Sequence, residues 1–238
     1  MDSESKIFVA GHNGLVGSAI VRNLESKGFT NIITMDRAKL DLTKLHDVQM
    51  FFAVEQPEYV FLAAAKVGGI GANAEYPADF IYENLMIQTN VISSAAKHGV
   101  KKLLFLGSSC IYPKDTKQPI SENSLLSSSL EKTNEGYALS KIVTLKYCQY
   151  LKQKYKKNFI SIQPANLYGV GDNFDLKSSH VLPALVKKFT LAKIKRKKTV
   201  EVWGTGKVRR EFLNVEDLAE AIYFLLKKGT KHDYLNIG

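Results

Sequence analysis

Residues 6–17 read KIFVAGHNGLVG, an apolar run followed by three glycines at every third position. The apolar run predicts a strand, and the pattern after it predicts a helix over residues 15–27. Glycines at such a turn allow a tight bend and let backbone N–H groups approach a pyrophosphate at the positive end of the helix dipole. We therefore expect cofactor contacts from the whole turn: Gly11, His12, Asn13, Gly14, Leu15, Val16 and Gly17.

A second predicted strand over residues 31–35 runs into Asp36 and Arg37, where a group that contacts the adenosine ribose of a dinucleotide belongs. A carboxylate there favours the free 2′-hydroxyl of NAD, whereas an arginine can pair with the 2′-phosphate of NADP. The two residues are ambiguous by themselves. We expect NADP because of Arg37, with NAD the less favoured cofactor.

Apolar runs alternate with longer amphipathic stretches through the first two thirds of the chain. Further strands are predicted over residues 59–64, 102–106 and 159–163, and further helices over residues 43–54, 79–98 and 136–156. Continuously apolar strands are typical of a parallel sheet that is covered by helices on both faces. The pattern predicts an α/β fold, a Rossmann-type doubly wound parallel sheet.

The pattern loosens after residue 163. We expect a loop over residues 164–179, a helix over 180–194, a strand over 199–203, a helix over 215–228 and a last strand over 234–237. Residues 1–163 are predicted to form an NADP-binding Rossmann domain. Residues 164–238 are predicted to form a smaller, incomplete C-terminal substrate-binding domain, with segments interleaved with the first domain.

Composition narrows the class of protein. Hydrophobic residues make up 45% of the 238 residues and charged residues 24%, as in globular domains. No apolar run is long enough for a membrane span, so we expect no membrane association. The two cysteines suit a reducing compartment, so we expect a cytoplasmic protein. No spacing of metal ligands is visible, so we expect no metal. The net charge of +10 suits an anionic substrate; the basic run 193–198 has no interleaved aromatic residues, which disfavours nucleic acid.

Tyr137 and Lys141 are four residues apart on a predicted helix, so they share one face. An ammonium group at that position is expected to lower the pKa of the phenol and to make the tyrosine a usable acid. The strand over residues 102–106 runs into Gly107 and Ser108, which places a hydroxyl at the carboxyl edge of the sheet, where α/β proteins bind ligands. Ser108 is therefore a candidate to hold a carbonyl oxygen for protonation.

The glycine turn, the Ser108 strand end and the Tyr137/Lys141 pair together resemble the extended short-chain dehydrogenase/reductases that act on nucleotide sugars. Longer strings resemble the GDP-L-fucose synthase family: LAAAKVGGI at 62–70, YPADFI at 76–81, LGSSCIYP at 106–113 and NLYG at 166–169. Members of that family epimerise C3 and C5 of GDP-4-keto-6-deoxy-D-mannose and reduce the C4 ketone with NADPH, which gives GDP-L-fucose. The resemblance extends over nearly the whole chain.

The resemblance implies a role for each matched residue. Tyr137 would protonate the C4 oxygen, Lys141 would tune the tyrosine and hold the nicotinamide ribose, and Ser108 would bind the same oxygen. Cys110 and His180 match the acid/base pair of the epimerisation. The implied cofactor contacts outside the first two strands are Leu106, Gly107, Ser108, Ser109, Lys141, Pro164, Ala165, Asn166, Leu167 and His180, and the implied GDP-sugar contacts are Lys188, Trp203 and Arg210.

Family members form homodimers through their long helices, and they continue beyond the position of Gly238, so we expect a homodimer and a truncated substrate domain. Asn13 stands where some relatives have a basic residue, which keeps NAD open as an alternative to NADP. Two other functions also stay open. One is another nucleotide-sugar epimerase or dehydratase with the same tyrosine and lysine, which Cys110 and His180 disfavour; the other is a catalytically silent cofactor-binding module.

Overall fold

The computed structural model of the protein describes residues 1–176, 178–202 and 204–238. The strands are β1 (Ile7–Ala10), β2 (Ile32–Ile33), β3 (Tyr59–Leu62), β4 (Lys102–Leu106), β5 (Asn158–Pro164), β6 (Asn166–Tyr168), β7 (Phe212–Asn214) and β8 (Tyr234–Ile237). The helices are α1 (Leu15–Ser26), α2 (Leu45–Glu55), α3 (Ile70–Glu75), α4 (Pro77–Lys97), α5 (Glu135–Tyr155), α6 (Val181–Ile194) and α7 (Val215–Lys228).

Six strands form the main sheet in the order β2-β1-β3-β4-β5-β8, and every neighbouring pair is parallel. Alternate strand residues enter two separate apolar layers, one with α1 and α7 and the other with α2, α4 and α5. β1 and β3 are buried along their whole length because helices cover both faces. The predicted doubly wound parallel sheet is confirmed.

The last helix and the last strand return to this sheet. β8 pairs with β5 at the sheet edge, and α7 buries Leu218, Ala219 and Ile222 in the layer that it shares with α1. The start of α7 is fixed by the Asn214 side chain, which accepts a hydrogen bond from the Glu216 N–H at 2.9 Å. The two-domain division stays a prediction, with α7 and β8 as segments of the later sequence that join the first sheet.

Two local predictions differ from the structure. The predicted strand over residues 199–203 is wrong for its described residues 199–202, which pair with no strand in the part of the chain that the structure describes. The predicted loop over 164–179 contains β6, which pairs in parallel with β7 in a second small sheet. Strands of three residues and the six-residue α3 are too short to show a period in the sequence. The alternation at 199–202 has no partner strand among the described residues that could supply ladder hydrogen bonds.

Candidate active site

The glycine turn after β1 has the backbone of an anion cradle. Gly11 has φ of +89°, and a Cβ built on it would lie 2.7 Å from the Ala64 nitrogen. A Cβ on Gly17 would lie 2.0 Å from the Gly11 carbonyl oxygen, so α1 can approach the turn only with glycine there. α1 begins after Gly14 with no side-chain cap and no acidic residue in its first turn. Its first N–H groups therefore suit a pyrophosphate.

The adenosine end of this cradle lies at the end of β2. Asp36 accepts a hydrogen bond from Asn13 Nδ2 at 2.7 Å, and His12 Nε2 lies 3.4 Å from the same carboxylate oxygen. Arg37 is 73% exposed, with its Nη2 atom 3.8 Å from Glu83 Oε2 on α4. The Asp36 carboxylate is thus engaged by its neighbours, while the Arg37 guanidinium faces solvent and is accessible to a phosphate.

Lys66 and Glu83 join this cluster, and the sequence patterns missed both. Lys66 Nζ pairs with Glu83 Oε1 at 2.5 Å, so two cations converge on one carboxylate. Asn84 fixes the Lys66 backbone, since it accepts from the Lys66 N–H at 2.9 Å and donates to the Lys66 carbonyl at 3.0 Å. A lysine within the quoted string 62–70 was the only signal that the sequence offered.

Four of the five predicted catalytic residues meet at the carboxyl end of β4. Ser108 follows that strand, its Oγ accepts from the Cys110 N–H at 3.2 Å, and it lies near enough to the Tyr137 phenol to affect the pKa of that phenol. Tyr137 and Lys141 lie on the first two turns of α5. Lys141 Nζ donates to the Leu106 carbonyl at 2.8 Å and lies 5.5 Å from the centre of the Tyr137 ring.

The electrostatics of this group correct one expectation. Burial raises the pKa of Tyr137, and the neighbouring Cys110 adds to that increase, while the nearby Ser108 hydroxyl opposes it. Burial also lowers the pKa of Lys141 to about 7. The predicted lowering of the phenol pKa by Lys141 is therefore wrong for this state, because desolvation dominates and the lysine itself loses charge near neutral pH. A tyrosine that keeps its proton at neutral pH suits a proton donor.

Cys110 is a half-buried free thiol within electrostatic range of both Tyr137 and Lys141. His180 is exposed at the N-cap of α6. The segment before it passes close to the loop after β3, since a Cβ built on Gly69 would lie 3.4 Å from the Ser179 carbonyl oxygen. The approach of His180 to Cys110 stays a prediction.

The loop after β5 lies at the same edge as the β4 end, because the two strands pair in register up to Leu106 and Ile162. Pro164 ends β5, and the Ala165 N–H donates to the Ile237 carbonyl at 2.9 Å. Asn166 Nδ2 donates to the Glu211 carbonyl at 3.0 Å, and Leu167 lies in β6. The predicted cofactor contacts at 106–109 and the loop 164–167, which was predicted to lie against the nicotinamide, therefore share one edge of the sheet.

The family model described as the NAD dependent epimerase/dehydratase family matches residues 7–238. The chain belongs to this family. Among proteins similar to this family member, GDP-L-fucose synthase 1 of Arabidopsis thaliana is 59% identical over 237 residues, which cover 100% of this chain and 73% of that protein.

Two solved structures are similar over 100% of this epimerase/dehydratase-family chain. The GDP-mannoheptose C4 reductase of Campylobacter jejuni with NADP bound has a TM-score of 0.92 at 40% identity, and 81% of that chain is covered. A GDP-L-fucose synthetase of Naegleria fowleri bound to NADP has a TM-score of 0.90 at 26% identity, and 77% of that chain is covered.

The predicted substrate contacts are more dispersed than the catalytic residues. Lys188 lies half-buried on α6, with Nζ 3.4 Å from the Glu201 carbonyl oxygen. Arg210 is exposed just before β7, and its Nη1 atom donates to the neighbouring Arg209 carbonyl at 2.9 Å. Trp203 lies outside the described residues. The described residues contain no cluster of three or more potential metal ligands and no helix long and apolar enough to cross a membrane.

Two amide side chains behind the catalytic residues were also missed. Gln163, on β5, accepts a hydrogen bond from the Ser108 N–H at 2.8 Å. Asn236, on β8, accepts a hydrogen bond at 2.6 Å from the hydroxyl of Tyr112, a residue that lies two positions after Cys110. A polar residue at the end of an apolar strand was the only sequence signal for Gln163.

Proposed function

We propose that this epimerase/dehydratase-family member converts GDP-4-keto-6-deoxy-D-mannose to GDP-L-fucose by epimerisation at C3 and C5 and NADPH-dependent reduction at C4. The observation that carries the proposal is the position of Cys110 beside Ser108, Tyr137 and Lys141. This cluster joins a thiol that can exchange protons with the carbon acids to a phenol that can protonate the ketone oxygen. The name of the Arabidopsis relative supports the same assignment.

The cofactor is NADP, which is bound in both solved relatives described above. The glycine turn with its uncapped helix fits the pyrophosphate, and the exposed Arg37 fits the 2′-phosphate. Lys141 and the edge formed by residues 106–109 and 164–167 would hold the nicotinamide end. When bound, NADPH supplies the hydride that C4 receives.

In the reduction, the chain's own groups act on the C4 oxygen. Tyr137 keeps its proton at neutral pH because it is buried, so it can donate that proton as negative charge develops on the oxygen. The Ser108 hydroxyl, which lies near the phenol, donates to the same oxygen and fixes its position. Lys141 is held by the Leu106 carbonyl and so presents its amine near the phenol.

In the epimerisation, the ketone acidifies the hydrogens on C3 and C5. We assign Cys110 and His180 to remove and return these protons, and Ser108 with Tyr137 to stabilise the enolate oxygen. A thiol and an imidazole can each act as an acid or as a base, which suits exchange in both directions. The half-buried Cys110 next to Ser108 supports the thiol part of this assignment.

The GDP part of the substrate is assigned to Lys188, Arg210 and Trp203. A lysine and an arginine suit a diphosphate, and an indole supplies apolar or stacking surface. The net charge of +10 favours an anionic substrate over a neutral one. Residues 1–163, together with α7 and β8, are assigned to cofactor binding, and the rest of the later sequence to substrate binding.

We assign the protein to the cytoplasm, because its two cysteines are free thiols, and to a homodimer. The surface between α4 and α5 supports the dimer. It carries the exposed apolar side chains of Tyr82, Leu139, Val143 and Tyr150, an unusual set for a helix pair that faces water. A second copy that packs its α4 and α5 against these helices would bury them.

The test is NADPH oxidation by the purified protein with GDP-4-keto-6-deoxy-D-mannose, with NADH in parallel and the product sugar identified. GDP-L-fucose is expected from the parent. Cys110→Ser should impair solvent deuterium incorporation at C3 and C5, whereas Cys148→Ser, at a buried cysteine on α5, should not. A reduced sugar that keeps its C3 and C5 configuration would instead assign a C4 reductase, and the absence of turnover with bound cofactor would contradict the proposal.

A further inference from the structure

Gln163 is a buried amide behind the catalytic residues. It lies next to the end of β5 with 2% of its surface exposed, and its register partner on β8 is Asn236. The loop that begins at Ser108 lies directly in front of both. Gln163 therefore lies between the end of β4 and the loop that is assigned to the nicotinamide.

The hydrogen bonds of Gln163 fix which way its carboxamide faces. Nε2 donates to Ser161 Oγ at 2.7 Å, and Oε1 accepts from the Ser108 N–H at 2.8 Å. Because the donor end is taken by Ser161, the acceptor end faces Ser108. The Gly107 N–H still bonds to the Ile162 carbonyl at 2.8 Å, so the Gln163 side chain extends the contact between β4 and β5 by one residue.

The absence of a side chain at Gly107 leaves the space that the Gln163 carboxamide occupies. A Cβ built on Gly107 would lie 2.0 Å from Gln163 Oε1 and 2.6 Å from its amide carbon. Any larger residue at 107 would displace the carboxamide from Ser108. The glycine at the strand end and the buried glutamine thus form one local arrangement.

Ser108 is therefore held at two points. Its main chain is fixed by Gln163, and its Oγ accepts from the Cys110 N–H, with the Tyr137 phenol nearby. The far part of the same loop is held by Asn236, whose Nδ2 donates to the Ile120 carbonyl at 2.9 Å. Two neighbouring strands thus hold the start and the end of the loop that carries Ser108 and Cys110.

We propose that Gln163 is a positioning residue that fixes Ser108, so that the Ser108 hydroxyl and the Tyr137 phenol meet at one oxygen atom of the substrate. The inference rests on the proposed function, which supplies the reaction in which Ser108 acts. Gln163 touches neither substrate nor cofactor in this role. It acts through the position of the Ser108 main chain.

The test is a double-mutant cycle on C4 reduction. Gln163→Met removes the acceptor at similar volume and should lower kcat about tenfold, the scale of one hydrogen bond, with KM for both substrates within about twofold. In a Ser108→Ala background the same substitution should lower kcat no further, because its target is gone. Independent, multiplying losses would overturn the proposal.

A matched control separates positioning from stability. Gln88→Met removes another fully buried carboxamide, which accepts from Thr144 between α4 and α5, and should lower the melting temperature while kcat stays unchanged. An equal loss of kcat in Gln88→Met would count against Gln163. If Gln163→Met does not fold, Ser161→Ala loosens the carboxamide without removing it and should give a smaller loss of kcat in the same direction.

A second readout does not depend on turnover. The Ser108 amide should be protected from hydrogen exchange in the parent and exchange faster in Gln163→Met, as measured by NMR with and without NADPH. Fast exchange in the parent, or unchanged exchange in the variant, would refute the proposal. A parent that shows this protection but no turnover would instead place the failure in the proposed function.

Discussion

Helices α5 and α6 differ sharply in how firmly they are packed. α5, of 21 residues, buries eight side chains, among them Lys141 and Cys148. α6, of 14 residues, buries only Pro183 and Ala192 and leaves apolar side chains such as Phe189 and Ile194 more than half exposed. The helix that carries the proton donor is thus part of a dense framework, whereas the helix that carries Lys188 is loosely attached to it.

The difference in packing matches the proposed roles of the two helices, proton transfer for α5 and substrate binding for α6. Proton transfer requires the reacting groups to be positioned with a precision of about 0.5 Å. Only residues held by packing and hydrogen bonds provide this precision. Binding a nucleotide tolerates more freedom, since a ligand can order the groups that contact it. Substitutions in the framework should therefore change kcat or folding, and substitutions near α6 should change KM.

The largest effect is expected at Tyr137. Tyr137→Phe removes the proton donor and keeps the ring, so kcat for reduction should fall about 10³-fold while the melting temperature changes little. Steady-state kinetics with NADPH and calorimetry measure the two quantities. Tyr155→Phe, at an exposed tyrosine at the end of the same helix, is the matched control and should retain kcat. A mild loss in Tyr137→Phe would move the proton donor to another residue.

The next largest effect is expected in the glycine turn. Gly17→Ala places a Cβ 2.0 Å from the Gly11 carbonyl oxygen, which must push α1 away from the turn. Loss of two backbone contacts to a pyrophosphate should weaken NADPH binding about 100-fold, as measured by fluorescence titration. Gly71→Ala is the matched control, because a Cβ there meets nothing within 4 Å, and its affinity for NADPH should equal that of the parent.

The sequence predicted the framework better than its surroundings, for a physical reason. The continuous apolar run of β4 and the length of helices such as α5 are visible in the local sequence. The short β6 and β7 show neither feature, and the contacts of Gln163 or Lys66 depend on where distant elements meet. The pair Tyr137/Lys141 was found by its spacing, but the direction of the Tyr137 pKa depends on burial that spacing does not encode.

A smaller effect, on the pH dependence of the melting temperature, is expected at Lys141, and it reports how far water is excluded from the packed residues around Tyr137. Its folded-state pKa of about 7 lies below the ordinary 10.5, so the buried ammonium destabilises the fold fully below pH 7. That penalty shrinks between pH 7 and 10.5, because the folded protein then holds the neutral amine. Lys141→Met should therefore melt higher than the parent at pH 6.5, with a difference that narrows towards pH 10.

Thermal unfolding of both proteins across this pH range measures that difference. Lys146→Met, at a half-exposed position on the same helix, should show a constant difference from the parent. A gap between Lys141→Met and the parent that stays constant from pH 6.5 to pH 10 would mean that the lysine keeps its charge in the folded protein. Water would then have more access to the residues around Tyr137 than their burial indicates.

The smallest effect is expected at Arg210, on the loosely packed side of the comparison. Its side chain is exposed, and the hydrogen bond described for it goes to the carbonyl of the neighbouring Arg209. Arg210→Ala should therefore change the free energy of unfolding by less than about 0.5 kcal/mol. Loss of a charge-assisted contact to the diphosphate should raise KM for the GDP-sugar up to about tenfold with kcat retained. Arg209→Ala, its exposed neighbour, is the control and should keep the parent KM. A fall in kcat with unchanged KM would show instead that Arg210 belongs with the framework.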